Sequence, residues 1–134
     1  MAELLALEVA TPERELVRED VSEVQVPARN GYLGILPGHA PLVSLLGTGF
    51  LSYGAGGGKR YLSVQGGFVE VLADRVRVLA NAAVRAEEID VEGARADLKQ
   101  ALEQAVNPAA GVDPAAALEA LVWAQARVDA AERK

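Results

Sequence analysis

The segment FLSYGAGGGKRYLSV, residues 50–64, contains two apolar runs separated by a glycine-rich stretch. Glycine accepts the backbone angles of tight turns without steric cost, so the runs 50–53 and 59–64 are predicted to pair as a β-hairpin around Gly54–Gly58. The glycines are followed by strand-like residues rather than by a helix, which argues against a phosphate-binding loop.

The pattern of short strands and turns continues on both sides of this hairpin. Asn30-Gly31 is predicted to be a tight turn, because both residues tolerate positive φ, and Asp74-Arg75 is predicted to turn a second hairpin. Gly66-Gly67 interrupts a strand pattern and indicates a bulge or a close backbone approach. These features predict an antiparallel β-sandwich or barrel, with alternating apolar positions at Leu5, Leu7, Val9, Val24, Val26, Val69, Val71, Val76 and Val78.

The composition changes near Ala86. Of the 13 glycines, 11 lie in residues 1–85, whereas the rest of the chain is rich in alanine and glutamate, as helices are. Asp90 is predicted to cap a helix that Asn107-Pro108 ends, and Asp113-Pro114 is predicted to begin another. The sequence therefore predicts an α+β fold: an N-terminal antiparallel β-sandwich at residues 1–86 and a C-terminal antiparallel two-helix hairpin at residues 87–134.

The two predicted helices carry short apolar stripes. At about 25 cal/mol per Å2 of buried apolar surface, alanine-rich stripes contribute little, so the hairpin is expected to dock weakly on the sandwich and to move. The stripe positions are Val91, Ala94, Leu98, Leu102 and Ala105 in the first helix, and Leu118, Leu121, Val122, Gln125 and Val128 in the second.

The composition excludes several classes of protein. With 51% hydrophobic residues the chain is not disordered throughout, and a net charge of −6 does not suit a protein that tracks nucleic-acid phosphates. Cysteine is absent and His39 is the single histidine, which excludes thiolate chemistry and multi-histidine metal sites. No apolar run is long enough to span a bilayer, and the first 20 residues do not resemble a signal peptide.

No pattern of residues predicts catalysis. The serines have no candidate base other than His39, which lies in a Pro37–Pro41 turn where contact with its neighbours or with a partner is the favoured interpretation. Trp123 lies one position off the second helical stripe, and packing at the hairpin edge and anchoring to a partner both stay open. These features indicate a binding or regulatory protein.

The segment GYLGILPGHAPL, residues 31–42, resembles the signature of the epsilon subunit of F-type ATP synthases. VATP at 9–12, VQGGFVEV at 64–71, VLANAA at 78–83 and EEID at 87–90 follow in the order and spacing of that family. The resemblance covers essentially the whole chain and implies a ten-stranded β-sandwich followed by a helical hairpin. It also implies a non-catalytic rotor subunit of the central stalk, which helps to couple proton flow to ATP synthesis.

The resemblance further implies partners and contact residues. The ring of c subunits would be contacted by Arg29, Asn30, Gly31 and Tyr32, and the gamma subunit would be faced by His39, Ala40, Pro41 and Leu42. The helices would extend toward the catalytic alpha and beta subunits and restrain ATP hydrolysis through Arg95, Lys99, Trp123, Arg127, Arg133 and Lys134. Residues 86–134 carry a net charge of −5, so attraction to an acidic target is expected to be weak and inhibition modest at most.

Some bacterial members of this family bind ATP through an Ile/Leu-Asp-x-x-Arg-Ala motif at the start of the first helix. The chain matches this motif at Ile89, Asp90 and Ala94 but has Gly93 at the arginine position. Arg95 lies two residues later, about 200° round the helix, and does not replace the missing cation. The pattern argues against ATP as a regulatory ligand, and no other cofactor is implied.

Two other functions and a second location stay open. A free-standing β-sandwich that binds a small ligand would use its helices, residues 113–134 above all, to dimerise. A small hydrolase would use His39 and is the least favoured of the three hypotheses. The resemblance implies a peripheral protein at the cytoplasmic face of the bacterial plasma membrane, without direct membrane insertion, and a thylakoid-type membrane is the other location that it allows.

Overall fold

The computed structural model describes residues 3–134, which form a layered β-domain and a helical hairpin. The elements of this part of the chain are β1 Leu5–Ala10, β2 Glu15–Val21, β3 Val24–Ala28, β4 Gly31–Ile35, β5 Leu42–Leu45, β6 Thr48–Ala55, β7 Gly58–Val71, β8 Arg75–Arg85, α1 Val91–Val106 and α2 Pro114–Arg133. A single 3-10 turn, Ala86–Glu88, joins β8 to α1. The predicted α+β fold class is confirmed.

The strands form one continuous hydrogen-bonded sheet. Its order is β2-β1-β8-β7-β6-β3-β4, with β5 paired to β7. The pairs are antiparallel except for β1 and β8, which run parallel. The antiparallel pairing of β6 with β7 and of β7 with β8 confirms the two hairpins predicted around Gly54–Gly58 and Asp74-Arg75.

The long strand β7 changes its buried side at Gly66-Gly67, which bends the sheet into a sandwich. The buried apolar residues are Leu62 and Val64 before this point, and Val69 and Val71 after it, so the apolar register shifts by one residue. Gly67 has φ +104, and a Cβ on it would lie 1.9 Å from the carbonyl oxygen of Leu79. The predicted close backbone approach at Gly66-Gly67 is therefore confirmed.

One detail of the predicted sandwich is wrong. The resemblance implied ten strands, whereas residues 3–134 contain eight, because β7 with 14 residues and β8 with 11 run through the bend unbroken. The tight turn predicted at Asn30-Gly31 is present, and within it Gly31 takes positive φ. Arg29 and Asn30 form the turn, and the paired residues Ala28 and Gly31 close it.

The hairpin packs on the sheet through the second helix. α2 lies against β6 and β7, and α1 packs mainly on α2. The caps are as predicted: the Asp90 carboxylate accepts a hydrogen bond from the Gly93 amide at 3.2 Å, and the Asp113 carboxylate accepts one from the Ala115 amide at 3.1 Å. The junction between helices and sheet is a small apolar cluster of Ala86, Ile89, Ala94, Val128, Ala130 and Ala131, against which Phe50, Tyr61 and Val84 pack.

The predicted stripe of α2 is wrong at three positions, because Leu118, Val122 and Gln125 are exposed. Leu118 is 57% exposed and Val122 is 42% exposed. Small side chains make the contacts instead, because alanine lets the backbones of packed elements approach closely. The larger side chains next to these alanines stay exposed at the edge of the contact. The buried residues of α2 are Ala117, Ala124, Ala126, Val128, Ala130 and Ala131.

Candidate functional surfaces

A row of large apolar side chains lies on the outer face of β5, β7 and β8. Leu45 pairs with Phe68, and Phe68 pairs with Leu79, so the strand register places the three side by side. Phe68 is 45% exposed, and Val43, two residues before Leu45 on the same face, is 69% exposed. We call Val43, Leu45, Phe68 and Leu79 the outer apolar surface. Contiguous exposed apolar groups of this kind mark a site of protein contact.

The residues predicted to face the gamma subunit lie at the edge of this surface. His39, Ala40 and Pro41 belong to the connection between β4 and β5, and Leu42 begins β5. The Gly38 amide donates a hydrogen bond to the Ala73 carbonyl at 2.7 Å, which holds the connection against the turn between β7 and β8. The structure thus brings these four residues and the outer apolar surface to one region.

His39 is arranged as a loop residue. Its Nδ1 lies 2.7 Å from the Ala40 carbonyl oxygen, and its backbone amide donates to the Leu36 carbonyl at 3.2 Å. Within residues 3–134, neither a serine hydroxyl nor a carboxylate makes a hydrogen bond to the His39 ring. This geometry gives no support to the hydrolase hypothesis.

The residues predicted to contact the c-ring lie in the turn between β3 and β4 and at the start of β4. Arg29, Asn30 and Gly31 are exposed at the turn between β3 and β4. Tyr32, the second residue of β4, is 47% exposed. Its hydroxyl accepts a hydrogen bond from the Phe50 amide of β6 at 3.3 Å, and the two ring centroids are 4.8 Å apart. Burial is the main cause that raises the pKa of Tyr32. The contact of these four residues with the c-ring stays a prediction.

Cations on the two helices, predicted to reach the catalytic subunits, are paired within the hairpin. Arg95 donates to the Glu132 carboxylate at 2.7 Å, and Arg127 donates to the Asp97 carboxylate at 3.1 Å. The half-buried Trp123 has the Arg127 guanidinium 5.5 Å from its ring centroid. Lys99 is exposed, and no ion pair of Lys99 occurs in the part of the chain that the structure describes.

The end of α2 is fastened to the sheet and to the start of α1. The Arg133 guanidinium lies 4.3 Å from the centroid of the Phe50 ring, and the Lys134 ammonium donates to the Ile89 carbonyl at 2.8 Å. We call Arg133 and Lys134 the C-terminal latch. The hairpin is docked in this structure, and the latch fixes the end of the helix nearest the sheet.

Arg133→Gln is expected to loosen the docked hairpin. Loss of the contact between the guanidinium and the Phe50 ring removes about 0.5–2 kcal/mol, so the amides of α2 should exchange with solvent about 2- to 30-fold faster. Hydrogen exchange followed by mass spectrometry measures this rate. Lys99→Gln, which removes an exposed cation from α1, is the control, and unchanged exchange in Arg133→Gln contradicts a role for the latch.

The junction between sandwich and hairpin is clamped by Glu88. Both terminal nitrogens of the Arg14 guanidinium donate to its carboxylate at 3.1 Å, and Arg85 Nε donates at 3.3 Å. These contacts, chiefly the hydrogen bond from Arg14, lower the pKa of Glu88 from its ordinary value. The clamp therefore favours the ionised carboxylate in the folded chain.

Glu88→Gln is expected to destabilise the chain at neutral pH but not in acid. Because folding lowers the pKa of Glu88, its contribution is present above the pKa of the unfolded chain and is lost as pH falls through the folded value. The groups are exposed, so the loss at neutral pH should be about 1 kcal/mol or less. Urea unfolding at neutral pH and below the carboxyl range measures it, with Glu87→Gln as control. A difference that persists in acid contradicts the clamp.

The residues that match the ATP motif make contacts that stabilise the helical hairpin. The Asp90 carboxylate caps α1, the Ile89 carbonyl accepts from the latch, and Ala94 is buried against α2. Gly93 offers no cation, and the Arg95 guanidinium is bound to Glu132. Absence of ATP binding stays a prediction.

Comparison with known proteins decides the family. Residues 4–86 match the model of the ATP synthase, Delta/Epsilon chain, beta-sandwich domain. The ATP synthase epsilon chain of Solibacter usitatus is 63% identical over 134 residues, which are 100% of both chains. The chain belongs to the ATP synthase epsilon chain family. The epsilon chain of Koribacter versatilis is 48% identical over 101 residues, 75% of this chain and 71% of that one.

Solved structures agree with this family. A chain of the Euglena gracilis mitochondrial ATP synthase, described as OSCP/F1/c-ring in rotational state 1, matches with a TM-score of 0.79 and 27% identity over 91% of this chain and 78% of that one. A chain of the Tetrahymena thermophila mitochondrial ATP synthase central stalk/c-ring matches with a TM-score of 0.57 and 18% identity, over 92% and 90% of the two chains. The second match shows a shared fold. The resemblance read from residues 31–42 and the flanking motifs is confirmed.

Proposed function

We propose that the chain is a non-catalytic central-stalk subunit of a proton-translocating F-type ATP synthase, in which it helps to couple proton flow to ATP synthesis. The observation that carries this function is the full-length match, at 63% identity, to an ATP synthase epsilon chain. ATP chemistry then belongs to other subunits of the complex. A free-standing ligand-binding module is not favoured, and α2, its supposed dimerisation arm, is packed on its own sheet.

The outer apolar surface is the face to which the gamma subunit binds. Four large apolar groups exposed side by side support this assignment, as does the adjoining connection from His39 to Leu42. The exposed turn at Arg29, Asn30 and Gly31 is the part that contacts the c-ring. Residues 1–86, of which the first two lie outside the described residues, serve as the stalk-binding domain.

The chain is a peripheral subunit at the cytoplasmic face of a bacterial plasma membrane. The relatives with the matching epsilon chains are bacteria, which supports this location. Among residues 3–134, no helix has the length and hydropathy needed to cross a bilayer.

Residues 87–134 are a regulatory arm that rests in the docked position. In this position the ion pairs of Arg95 and Arg127 and the C-terminal latch engage most of the basic groups of the arm. Extension toward the alpha and beta subunits exchanges these contacts for contacts with the partner. Conversion from mostly docked to mostly extended requires about 5 kcal/mol of preferential binding, which agrees with a modest restraint on ATP hydrolysis.

Deletion of residues 87–134 from the assembled synthase is expected to raise ATP hydrolysis modestly, by about twofold to fivefold, and to leave proton coupling intact. The sandwich has its own apolar core, separate from the cluster under the helices, so it should remain bound to the stalk. Hydrolysis and ATP-driven proton pumping in membrane vesicles measure the two effects, and copurification with gamma checks assembly. An unchanged rate of ATP hydrolysis in an assembled complex means that the hairpin does not restrain hydrolysis.

A further inference from the structure

A space of about 430 Å3 lies between the sheet and the helical hairpin. Its floor is formed by Tyr32, Thr48 and Gly49 of the sheet, and its roof includes Leu98 and Leu121 of the two helices. A second space, of about 530 Å3, shares Thr48 and adds Gln65 and Asn81 to the floor. These volumes are in the range of small-molecule sites.

The two walls differ in chemistry. The floor offers the Tyr32 and Thr48 hydroxyls and the side-chain amides of Gln65 and Asn81, whereas the roof is built largely of leucine and valine. An occupant that matches both walls has a flat apolar body and a polar edge. Val128, Ala130 and Ala131 pack in the apolar cluster with Phe50 and Tyr61 of the sheet, whereas larger side chains such as Leu121 and Val122, earlier in α2, line the roof of the space.

The charged side chains that line the two spaces favour a positively charged ligand. Asp129 lines the first space and Glu119 lines the second, while no lysine or arginine of the described residues lines either one. The nearest end of α2 carries Arg133, whose guanidinium is placed over the Phe50 ring. The Asp129 carboxylate accepts one hydrogen bond, from the Gln125 side-chain amide at 2.9 Å, and the Arg133 guanidinium donates to the Asp129 backbone carbonyl at 2.9 Å. The carboxylate itself therefore has room for further donors.

We propose that this space between sheet and hairpin binds a small cationic amphipathic molecule, an organic amine with a flat apolar ring system. The ring lies between the leucine-rich roof and the Tyr32 side of the floor, and the ammonium group binds the Asp129 carboxylate. An anionic nucleotide is disfavoured at this place, because its phosphates would meet carboxylates rather than cations. The proposal is independent of the stalk function, since it concerns the isolated chain.

Such a ligand stabilises the docked hairpin. The site consists of residues from both layers, so it exists only while the helices rest on the sheet, and the ligand binds that state alone. Binding is therefore coupled to docking, and slower hydrogen exchange of α2 is expected when the site is filled.

A matched pair of probes tests the charge selection. Tryptamine and indole-3-acetate share one ring system and carry opposite charges. Isothermal titration of the full chain is expected to show saturable tryptamine binding and affinity for indole-3-acetate lower by about tenfold or more. Equal affinity for the two probes, or no saturable binding of tryptamine at millimolar concentration, overturns the proposal.

Two pairs of variants locate the site. Val122→Phe fills the space and is expected to abolish tryptamine binding. Val106→Phe, the same substitution at an exposed valine at the end of α1 that lines neither space, should not. Asp129→Asn should remove the preference for the amine, whereas Glu13→Gln, on the loop between β1 and β2, should keep it. Circular dichroism checks that each variant folds. Tryptamine binding that survives Val122→Phe overturns the location.

Discussion

Phe68→Asp is expected to weaken binding of the chain to the gamma subunit by about 30- to 1,000-fold. Removal of a central aromatic anchor costs an interface about 2–4 kcal/mol, and the new carboxylate loses its hydration against apolar groups. Phe68 is 45% exposed in the free chain, so folding should be unaffected. Titration of the stalk complex that lacks this chain, with wild-type and variant chains, measures the change.

The control places the same substitution on another exposed apolar residue. Val106, at the end of α1, is 76% exposed and lies on the hairpin rather than on the outer apolar surface. Val106→Asp is expected to bind gamma as tightly as the wild-type chain. Equal losses in the two variants, or no loss in Phe68→Asp, contradict the assignment of the outer apolar surface.

Gly67→Ala is expected to destabilise the sandwich by more than about 4 kcal/mol. The added Cβ would lie 1.9 Å from the Leu79 carbonyl oxygen, and φ +104 is a conformation that side chains rarely adopt. The strands β7 and β8 must then separate where they bend together between the two layers. Urea denaturation measures the free energy of unfolding, or shows that the variant is unfolded without urea.

Gly57→Ala separates backbone strain from steric conflict. Gly57 also has positive φ, +84, but a Cβ on it would meet nothing within 4 Å. The expected loss is about 1–2 kcal/mol, from backbone conformation alone. A Gly67→Ala chain that is no less stable than Gly57→Ala contradicts the close approach at the bend.

Local signals in the sequence were sufficient for the hairpins and the helix ends. Glycine clusters between apolar runs predicted the pairing of β6 with β7, and the aspartates at 90 and 113 predicted where α1 and α2 begin. The strands β2, β4 and β5 were missed. Their sequences lack an alternating pattern: β2 carries Arg18, Glu19 and Asp20 at an edge of the sheet, and β5 exposes most of its apolar residues.

The outer apolar surface could not be predicted from local patterns. Leu45, Phe68 and Leu79 are distant in the sequence, and strand register alone makes them neighbours. The direction of Phe68 also depends on Gly66-Gly67, because the shift there exchanges the inward and outward sides of β7. A period of two that is counted from Leu62 would place Phe68 in the core.

The contacts of Tyr32 also could not be predicted from local sequence patterns. Its place in the chain gave no sign that its ring lies against Phe50 of β6 and lines the space beside α2. Similarly, helical periodicity selected Leu118 and Val122 for burial, whereas the packed face consists mainly of alanine. Pairing between distant elements decides these contacts, and a periodic pattern carries no information about the partner.

Reconstitution of the synthase tests the central claim most directly. Membrane vesicles that contain the complex without this chain are supplied with purified chain, and ATP-driven proton pumping is measured. We predict that the wild-type chain restores pumping, that Phe68→Asp restores little at the same concentration, and that the chain alone hydrolyses no ATP. Full restoration of pumping by Phe68→Asp, or hydrolysis of ATP by the isolated chain, would contradict the claim that this chain is a non-catalytic subunit bound to the stalk through its outer apolar surface.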